Sequence, residues 1–332
     1  MAGEMHKRTA VIMGGQSSEH EVSLRSGAQV MKALEGESPL AVVIGKDGQW
    51  SVGGEPASTV GRAIDRLLGE CDVAFLALHG AYGEDGTIQG LFEMVGLPYT
   101  GSGVGGSSLA MDKVRTKLIY RQTGLPTPDF VALTPREWTA SRSRLVAEVS
   151  ASIGYPCALK VAHAGSSVGM RFPTSAEALA EGVDAIFQGA DLALAERYVK
   201  GREFTCGVIE DPKVRALPVT EIIPGAEYAF FDYTAKYTPG ATREVTPAEI
   251  DPTLTAEIQR LAVAAHLSLG CRDVSRTDVM VGADGKPQLL ETNTIPGLTA
   301  ESLLPQAARA AGLSFPSLVQ ALLANARARR VR

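Results

Sequence analysis

The sequence predicts an α/β protein built as two or three domains, and three observations carry that expectation. Its 332 residues, 45% of them apolar, exceed what one compact core usually holds. Near the amino terminus, RTAVIM (8–13) is an apolar run stopped by Gly14 and Gly15, and EVSLRSGAQVMKAL then places apolar residues at helical spacing. Far downstream, VSRTDVMV and PQLLETN flank the turn signal GADGK and read as an antiparallel hairpin.

The elements follow in order. The first strand, turn and helix occupy residues 8 to 34, with Ser18 and Glu21 three residues apart as a capping box. A second apolar strand, DVAFLAL (72–78), runs into HGAYGEDGTIQG, a loop whose glycines and charges predict exposure. Open α/β sheets bind ligands outside the carboxyl ends of their strands, and Glu19 and the His79–Asp85 loop both stand at such ends. The stretch TGSGVGGSSLAMDKVRTKLIYRQTGLP reads as a glycine–serine junction followed by a helix. Gly101, Gly103 and Gly106 match G-x-G-x-x-G, but the strand before them is weak, so a dinucleotide site is not expected. A second α/β region follows, with strands near CALKVA, GMRF, LALAERYV, EFTCGVI and RALPVTEII before the hairpin. Residues 230 to 250 have neither helical nor strand period and are long for a plain connection, which suits a lid.

Composition excludes several function classes. A formal charge of -5 and 6% aromatic residues give no basic surface for duplex nucleic acid. No apolar run approaches the ~20 residues of a membrane span, and the amino terminus lacks the pattern of a secretory signal. The four cysteines stand singly in apolar contexts and read as reduced core residues of a soluble cytoplasmic protein. The ending ARARRVR reads as basic residues closing a helix, in keeping with its dipole.

The hairpin carries the chemistry. With its turn centred between Asp284 and Gly285, Asp278 faces Glu291 and Arg276 faces Asn293, all on one face with Cβ atoms ~5 Å apart. Two like charges so placed repel unless something positive lies between them. A solvated face offset by Arg276 is the plainer alternative. Two carboxylates and an amide are hard oxygen donors, however, and magnesium is typically held by one or two carboxylates plus substrate phosphates. A phosphate site is therefore the companion to seek. Lys160, on a strand before the loop Gly165–Gly169, is one candidate. Lys113 and Lys117, on one helix face, are another, although a lysine there is commonly solvated surface. AERYVKGRE (195–203) joins two strands, and its backbone could meet an adenine edge with Glu203 reaching a ribose hydroxyl; an exposed charged turn fits equally.

Taken in order, GGQSSEHEVSL, HGAYGEDGTIQG, PYTGSGVGGSSLAMDK, LKVAHAGSSVGM, ERYVKGREFT, FDYTAKY, SRTDVMV and LLETNTIPGLTAESLLP resemble the D-alanine–D-alanine ligase family, ATP-grasp enzymes of peptidoglycan synthesis. The resemblance spans essentially the whole chain. It implies a Rossmann-like substrate-binding domain (1–104), a central ATP-grasp subdomain (105–200) and a carboxy-terminal one (201–332) with the metal and catalytic residues, in a cytoplasmic homodimer. Lys113, Lys160 and Ser167 would bind ATP phosphates, Glu196 and Val199 adenine, and Glu203 the ribose. Asp278, Glu291 and Asn293 would hold two Mg2+ (or Mn2+) ions. Glu19 would receive the ammonium of the first D-alanine, with Ser166 and Tyr237 completing a triad, and His79 would belong to the same catalytic group. Lys236 would come from the lid, Arg276 and the Gly297 N–H would face the oxyanion, and Ser302 with the Leu303 backbone would take the second carboxylate. Phe231 and Ala300–Glu301 depart from the family pattern, where tyrosine and Ser-His are common. The same chemistry with D-lactate or D-serine as acceptor, and a catalytically silent ATP-binding module, stand as alternatives.

Overall fold

The amino-terminal strand is buried from Thr9 to Gly14, the pattern of a strand covered on both faces. The structure is a computed structural model describing residues 8–163, 169–225 and 242–329. Ser166, Ser167, Phe231, Lys236 and Tyr237 lie outside the described residues, as does most of the expected lid.

Three sheets and ten α-helices are found among the described residues. In the first sheet, β1 (Arg8–Gly14) runs parallel to β2 (Leu40–Ile44) on one side and to β5 (Cys71–Leu76) on the other. The short strands β3 (Trp50–Val52) and β4 (Glu55–Pro56) extend it antiparallel, giving the order β4-β3-β2-β1-β5. Gly14 ends β1 at φ +89°, where a side chain would meet the Ile44 carbonyl at 2.3 Å. The turn therefore needs glycine, and it aims the next residues across the strand ends. Helix α1 (His20–Ala33) follows with Glu19 at its N-cap. The expected Ser18–Glu21 capping box does not form, because no side chain caps this helix and Glu21 pairs outward with Lys46 at 3.1 Å. Helices α2 (Val60–Glu70) and α3 (Thr87–Val95) complete the region.

Helices α4 (Val104–Met111) and α5 (Lys113–Gln122) are separate, broken at Asp112, whose carboxylate caps α5 by accepting the Arg115 N–H at 3.0 Å. A three-stranded antiparallel sheet comes next: β6 (Phe130–Leu133), β8 (Ala193–Arg197) and β7 (Cys157–Val161), in that order. It packs on α6 (Pro135–Ser152) and α7 (Ala176–Ile186) around Leu133, Trp138, Leu159 and Val183. The expected GMRF strand is reduced to a single bridge from Arg171 to Leu159.

The third sheet is antiparallel and orders β12 (Thr242–Val245), β11 (Thr220–Pro224), β9 (Gly201–Glu210), β13 (Val274–Gly282) and β14 (Pro287–Asn293), with β10 (Val214–Ala216) also on β9. Two predicted runs change here. RALPVTEII splits into β10 and β11, and the end of the aperiodic segment pairs as β12. Helices α4, α5 and α8 (Pro252–Ser268) cover this sheet through Tyr120, Phe204, Leu261 and Leu289. All four cysteines are buried, and burial pushes the Cys206 and Cys271 thiols up to about 12, so they are inert at neutral pH.

The chain returns to its start. Helices α9 (Leu303–Ala310) and α10 (Phe315–Ala328) pack against β1 and β5 through Leu304, Leu318 and Leu322. Beyond the end of α10, Arg329 pairs with Asp273 and donates to the Tyr99 carbonyl at 2.7 Å. Asp273, fully buried at φ +60°, also accepts the Gly101 N–H at 2.6 Å. Two of the tail's basic residues thus have specific acidic partners, Arg327 meeting Asp72 at 3.0 Å. Arg329→Met should cost about 3 kcal/mol or more in urea unfolding, because it leaves the Asp273 charge buried without its partner. Asp273→Asn, which tolerates a positive φ, should cost less. An Arg329→Met loss below about 0.5 kcal/mol would show that the Asp273 charge is neutralised elsewhere.

Candidate active site

The hairpin sets the geometry. Strands β13 and β14 pair Arg276 with Asn293, Thr277 with Thr292 and Asp278 with Glu291, as the sequence predicts. The turn itself differs: Val279 pairs with Leu289 and Val281 with Pro287, so it is centred at Asp284. Leu290 is the extra residue of a bulge, which restores the expected pairs beyond it. The hairpin's hidden face is held by hydroxyls, Thr292 bonding both Thr277 at 2.7 Å and the buried Tyr120 at 2.6 Å.

Each acid on the other face has a cation. The Arg276 guanidinium forks onto both Asp278 oxygens at 3.0 Å, and the Thr205 hydroxyl donates to Asp278 at 2.6 Å. Lys113 Nζ lies 3.1 Å from Glu291. Asn293 Oδ1 accepts the Ile295 N–H at 3.0 Å, which shapes the turn leaving β14. Asp278, Glu291 and Asn293 therefore present oxygen donors with lone pairs to spare. Among the described residues no three of His, Cys, Asp and Glu cluster as a metal cage. This donor set fits magnesium, which keeps waters and takes further ligands from substrate phosphates.

Helix α5 extends the pattern by one turn. Lys117, which the sequence offers with Lys113 as a phosphate candidate or as solvated surface, is neither exposed nor free: it is fully buried and pairs with Glu196 of β8. Its ammonium also donates to Thr127 Oγ1 at 2.6 Å. Lys160 Nζ approaches the other Glu196 oxygen at 2.9 Å. The two lysines respond differently to burial. Desolvation pushes Lys117 down to about 8, whereas the carboxylates of Glu196, Glu291 and Glu203 outweigh it at Lys160 and hold that ammonium above its ordinary value. The same lysines keep buried Glu196 below the usual carboxylate range. Half-buried Glu203 stands on β9 opposite Met280, and Val199 lies in the turn before that strand, lining an open cleft with Thr127 and Gln288.

One pocket brings Glu19, Lys113, Arg276, Glu291 and Asn293 together, with Glu84 in its wall. Ser17 prepares this corner by accepting the Glu19 N–H at 3.2 Å and donating to the His79 carbonyl at 2.6 Å. The His79 ring joins three segments: Ser26 of α1 at 3.0 Å, the Ile295 carbonyl at 3.1 Å, and Glu84 at 3.8 Å. The loop expected to be exposed is largely buried, because its backbone finds partners within it. The Gly80 N–H donates to Glu84 at 2.9 Å and Gln89 donates to the Gly83 carbonyl at 2.8 Å. Burial pushes the Glu84 carboxyl well above 4.5, Glu19 adding to the push while His79 and Gly80 oppose it. On the far side, Ser302 stands at the N-cap position of α9 without a side-chain capping bond, its hydroxyl instead accepting the Thr299 N–H at 3.1 Å. A side chain at Gly297 would lie 2.8 Å from that hydroxyl, so only glycine lets the two approach. Glu84 and Thr205 carry no signal in the sequence that singles them out, and Lys117, a phosphate candidate by its helix face, turns out to serve Glu196 instead. The i, i+4 spacing of Lys117 from Lys113 was the one available signal.

Known proteins resemble this chain over nearly its whole length. The family model described as D-ala D-ala ligase C-terminus matches residues 119–324, and that described as D-ala D-ala ligase N-terminus matches residues 8–63 and 56–102. A D-alanine–D-alanine ligase from Syntrophobacter fumaroxidans is 44% identical over 95% of this chain and 96% of its own. The solved D-alanine–D-alanine ligase from Bacillus anthracis is 34% identical with a TM-score of 0.78, covering 96% of this chain and 97% of its own. A D-Ala:D-Ser ligase from Enterococcus faecalis is 29% identical with a TM-score of 0.81, covering 96% and 98%.

A raised carboxyl stabilises the fold while protonated, and that contribution is lost as pH rises through its elevated pKa. Glu84→Gln, which stays neutral, should therefore melt above wild type at pH 8, by roughly 2–4 °C for each kcal/mol relieved. The gap should close as pH falls toward 4.5. A variant that melts lower at every pH would mean that Glu84 is held as a needed anion.

Proposed function

The chain belongs to the D-alanine–D-alanine ligase family, and from that premise we propose how its residues divide the work. The enzyme joins two D-alanine molecules at the expense of ATP for peptidoglycan synthesis, releasing ADP and phosphate. The observation that carries the assignment of roles is the convergence of Glu19, Lys113, Arg276, Glu291 and Asn293 on one pocket.

We read residues 1–104 as a Rossmann-like unit and 105–200 and 201–332 as the two ATP-grasp subdomains, in a cytoplasmic homodimer. Glu19 takes the ammonium of the first D-alanine, with Ser166 and Tyr237 completing its hydrogen bonds. A carboxylate is a poor acyl donor, so its oxygen first attacks the γ-phosphorus of ATP. The P–O bond to ADP breaks and an acyl phosphate forms. In this reading Lys113, Lys160, Ser167 and Lys236 neutralise or bind the phosphates, and Glu196, Val199 and Glu203 serve the base and ribose. Asp278, Glu291 and Asn293 would hold two Mg2+ ions, which would supply further charge neutralisation.

The second D-alanine places its carboxylate at the Ser302 hydroxyl and the Leu303 N–H, on the positive end of α9. Its deprotonated amine attacks the acyl carbon, and the developing oxyanion meets Arg276 and the Gly297 N–H. Phosphate then leaves and the peptide bond remains. His79 holds α1, the first-substrate loop and the segment after β14 in one frame.

Two measurements test this reading. Mass spectrometry of products from ATP, Mg2+ and a panel of D-amino and D-hydroxy acids should find D-alanyl-D-alanine as the main product. A dominant ester or D-serine product, or ADP release without ligation, would reject the acceptor assignment. Glu291→Gln should lower turnover on the order of 10²-fold at saturating Mg2+ while leaving the hairpin folded. Equal turnover would remove Glu291 from the metal site.

A further inference from the structure

Glu196 carries one negative charge and lies between two buried ammonium groups, Lys117 from α5 and Lys160 from β7. One cation would satisfy it. Lys117 is anchored a second time, through Thr127 Oγ1 at 2.6 Å, and that hydroxyl donates onward to the Leu289 carbonyl of β14 at 2.8 Å. Lys117 thus ties the three-stranded sheet to the hairpin strand that carries Glu291 and Asn293, and it is shut off from solvent. Lys160 stands one residue from the end of β7, and the glycine loop begins four residues beyond that strand. Of the two lysines it is the one placed to turn toward a phosphate.

A buried carboxylate stripped of its cation is strongly unfavourable. If Lys160 alone neutralised Glu196, every nucleotide that drew Lys160 away would leave that charge uncompensated. We propose that Lys117 is a positioning residue for nucleotide: it remains on Glu196 as the permanent counter-cation, so that Lys160 can move from the carboxylate to a phosphate. The inference rests on the reading of Lys160 as a phosphate ligand and adds why a third lysine is buried beside it.

The test compares full-length Lys117→Met, Glu196→Gln, Lys117→Met/Glu196→Gln and Lys160→Met by steady-state kinetics and by equilibrium binding of ADP with Mg2+. Lys117→Met should raise KM for ATP and Kd for ADP by roughly tenfold or more, with KM for D-alanine changed less than about twofold. Adding Glu196→Gln should recover that affinity to the level of Glu196→Gln alone, which sets the loss from the base contact of Glu196, because Lys160 then has no anion to abandon. A purely structural lysine would disturb both substrates alike and would not be rescued. Should Lys117→Met not fold, Lys117→Gln, which keeps a donor for Thr127, serves in the same comparison. An unchanged ATP KM in Lys160→Met overturns the phosphate role of Lys160 and this inference with it. With Lys160→Met weakened as expected, normal nucleotide affinity in the Lys117 variant, or a double variant no better than Lys117→Met, overturns the inference alone.

Discussion

Carboxylates in a desolvated crevice persist as anions only when cations lie against them, and the arrangement around the hairpin follows from that constraint. Asp278 and Glu291 face each other across two strands, an unfavourable pairing by itself. Arg276, two residues before Asp278 on the same strand, and Lys113, at the start of α5, each take one of them. The break at Asp112 gives α5 its own capped first turn and so fixes where Lys113 and Lys117 begin. One turn later Lys117 repeats the motif with Glu196. A single helix therefore supplies counter-charges to two different sheets.

The same crevice depends on distant parts of the chain being drawn together. Gly14 turns the end of β1 so that Glu19 reaches the pocket from the first sheet. His79 spans from α1 to the segment following β14, and Asp273, just before β13, is bound by Arg329 and by the Gly101 N–H. The hairpin is thus referenced at both ends to the first sheet. Groups separated by more than 250 residues, such as Glu19 and Arg276, meet on a frame built from buried polar contacts and the shared core of α10 against β1.

Local patterns in the sequence carried much of this, and their failures have physical causes. The alternation of β13 and β14 placed Arg276, Asp278, Glu291 and Asn293 on one face, although the turn was set half a residue off. The bulge at Leu290 cancelled that error, and nothing in LLETN announces a bulge. Helical spacing puts Lys117 on the face of Lys113 and makes both phosphate candidates, but spacing tells which residues share a face, not that Glu196 covers that face at Lys117. The charged loop from His79 to Asp85 was expected outside, yet Glu84 turns inward to satisfy the Gly80 N–H, a partner visible only after folding. Strands β2 to β4 lie in a stretch for which no element was predicted.

The central claim is that paired charges hold the crevice together until phosphates take their place. A crystal structure with a non-hydrolysable ATP analogue and Mg2+ addresses it most directly. The account predicts Lys160 Nζ on a phosphate oxygen, Lys117 alone on Glu196, and the oxygens of Asp278, Glu291 and Asn293 around metal. Lys160 still bonded to Glu196, with phosphates held elsewhere, would contradict it.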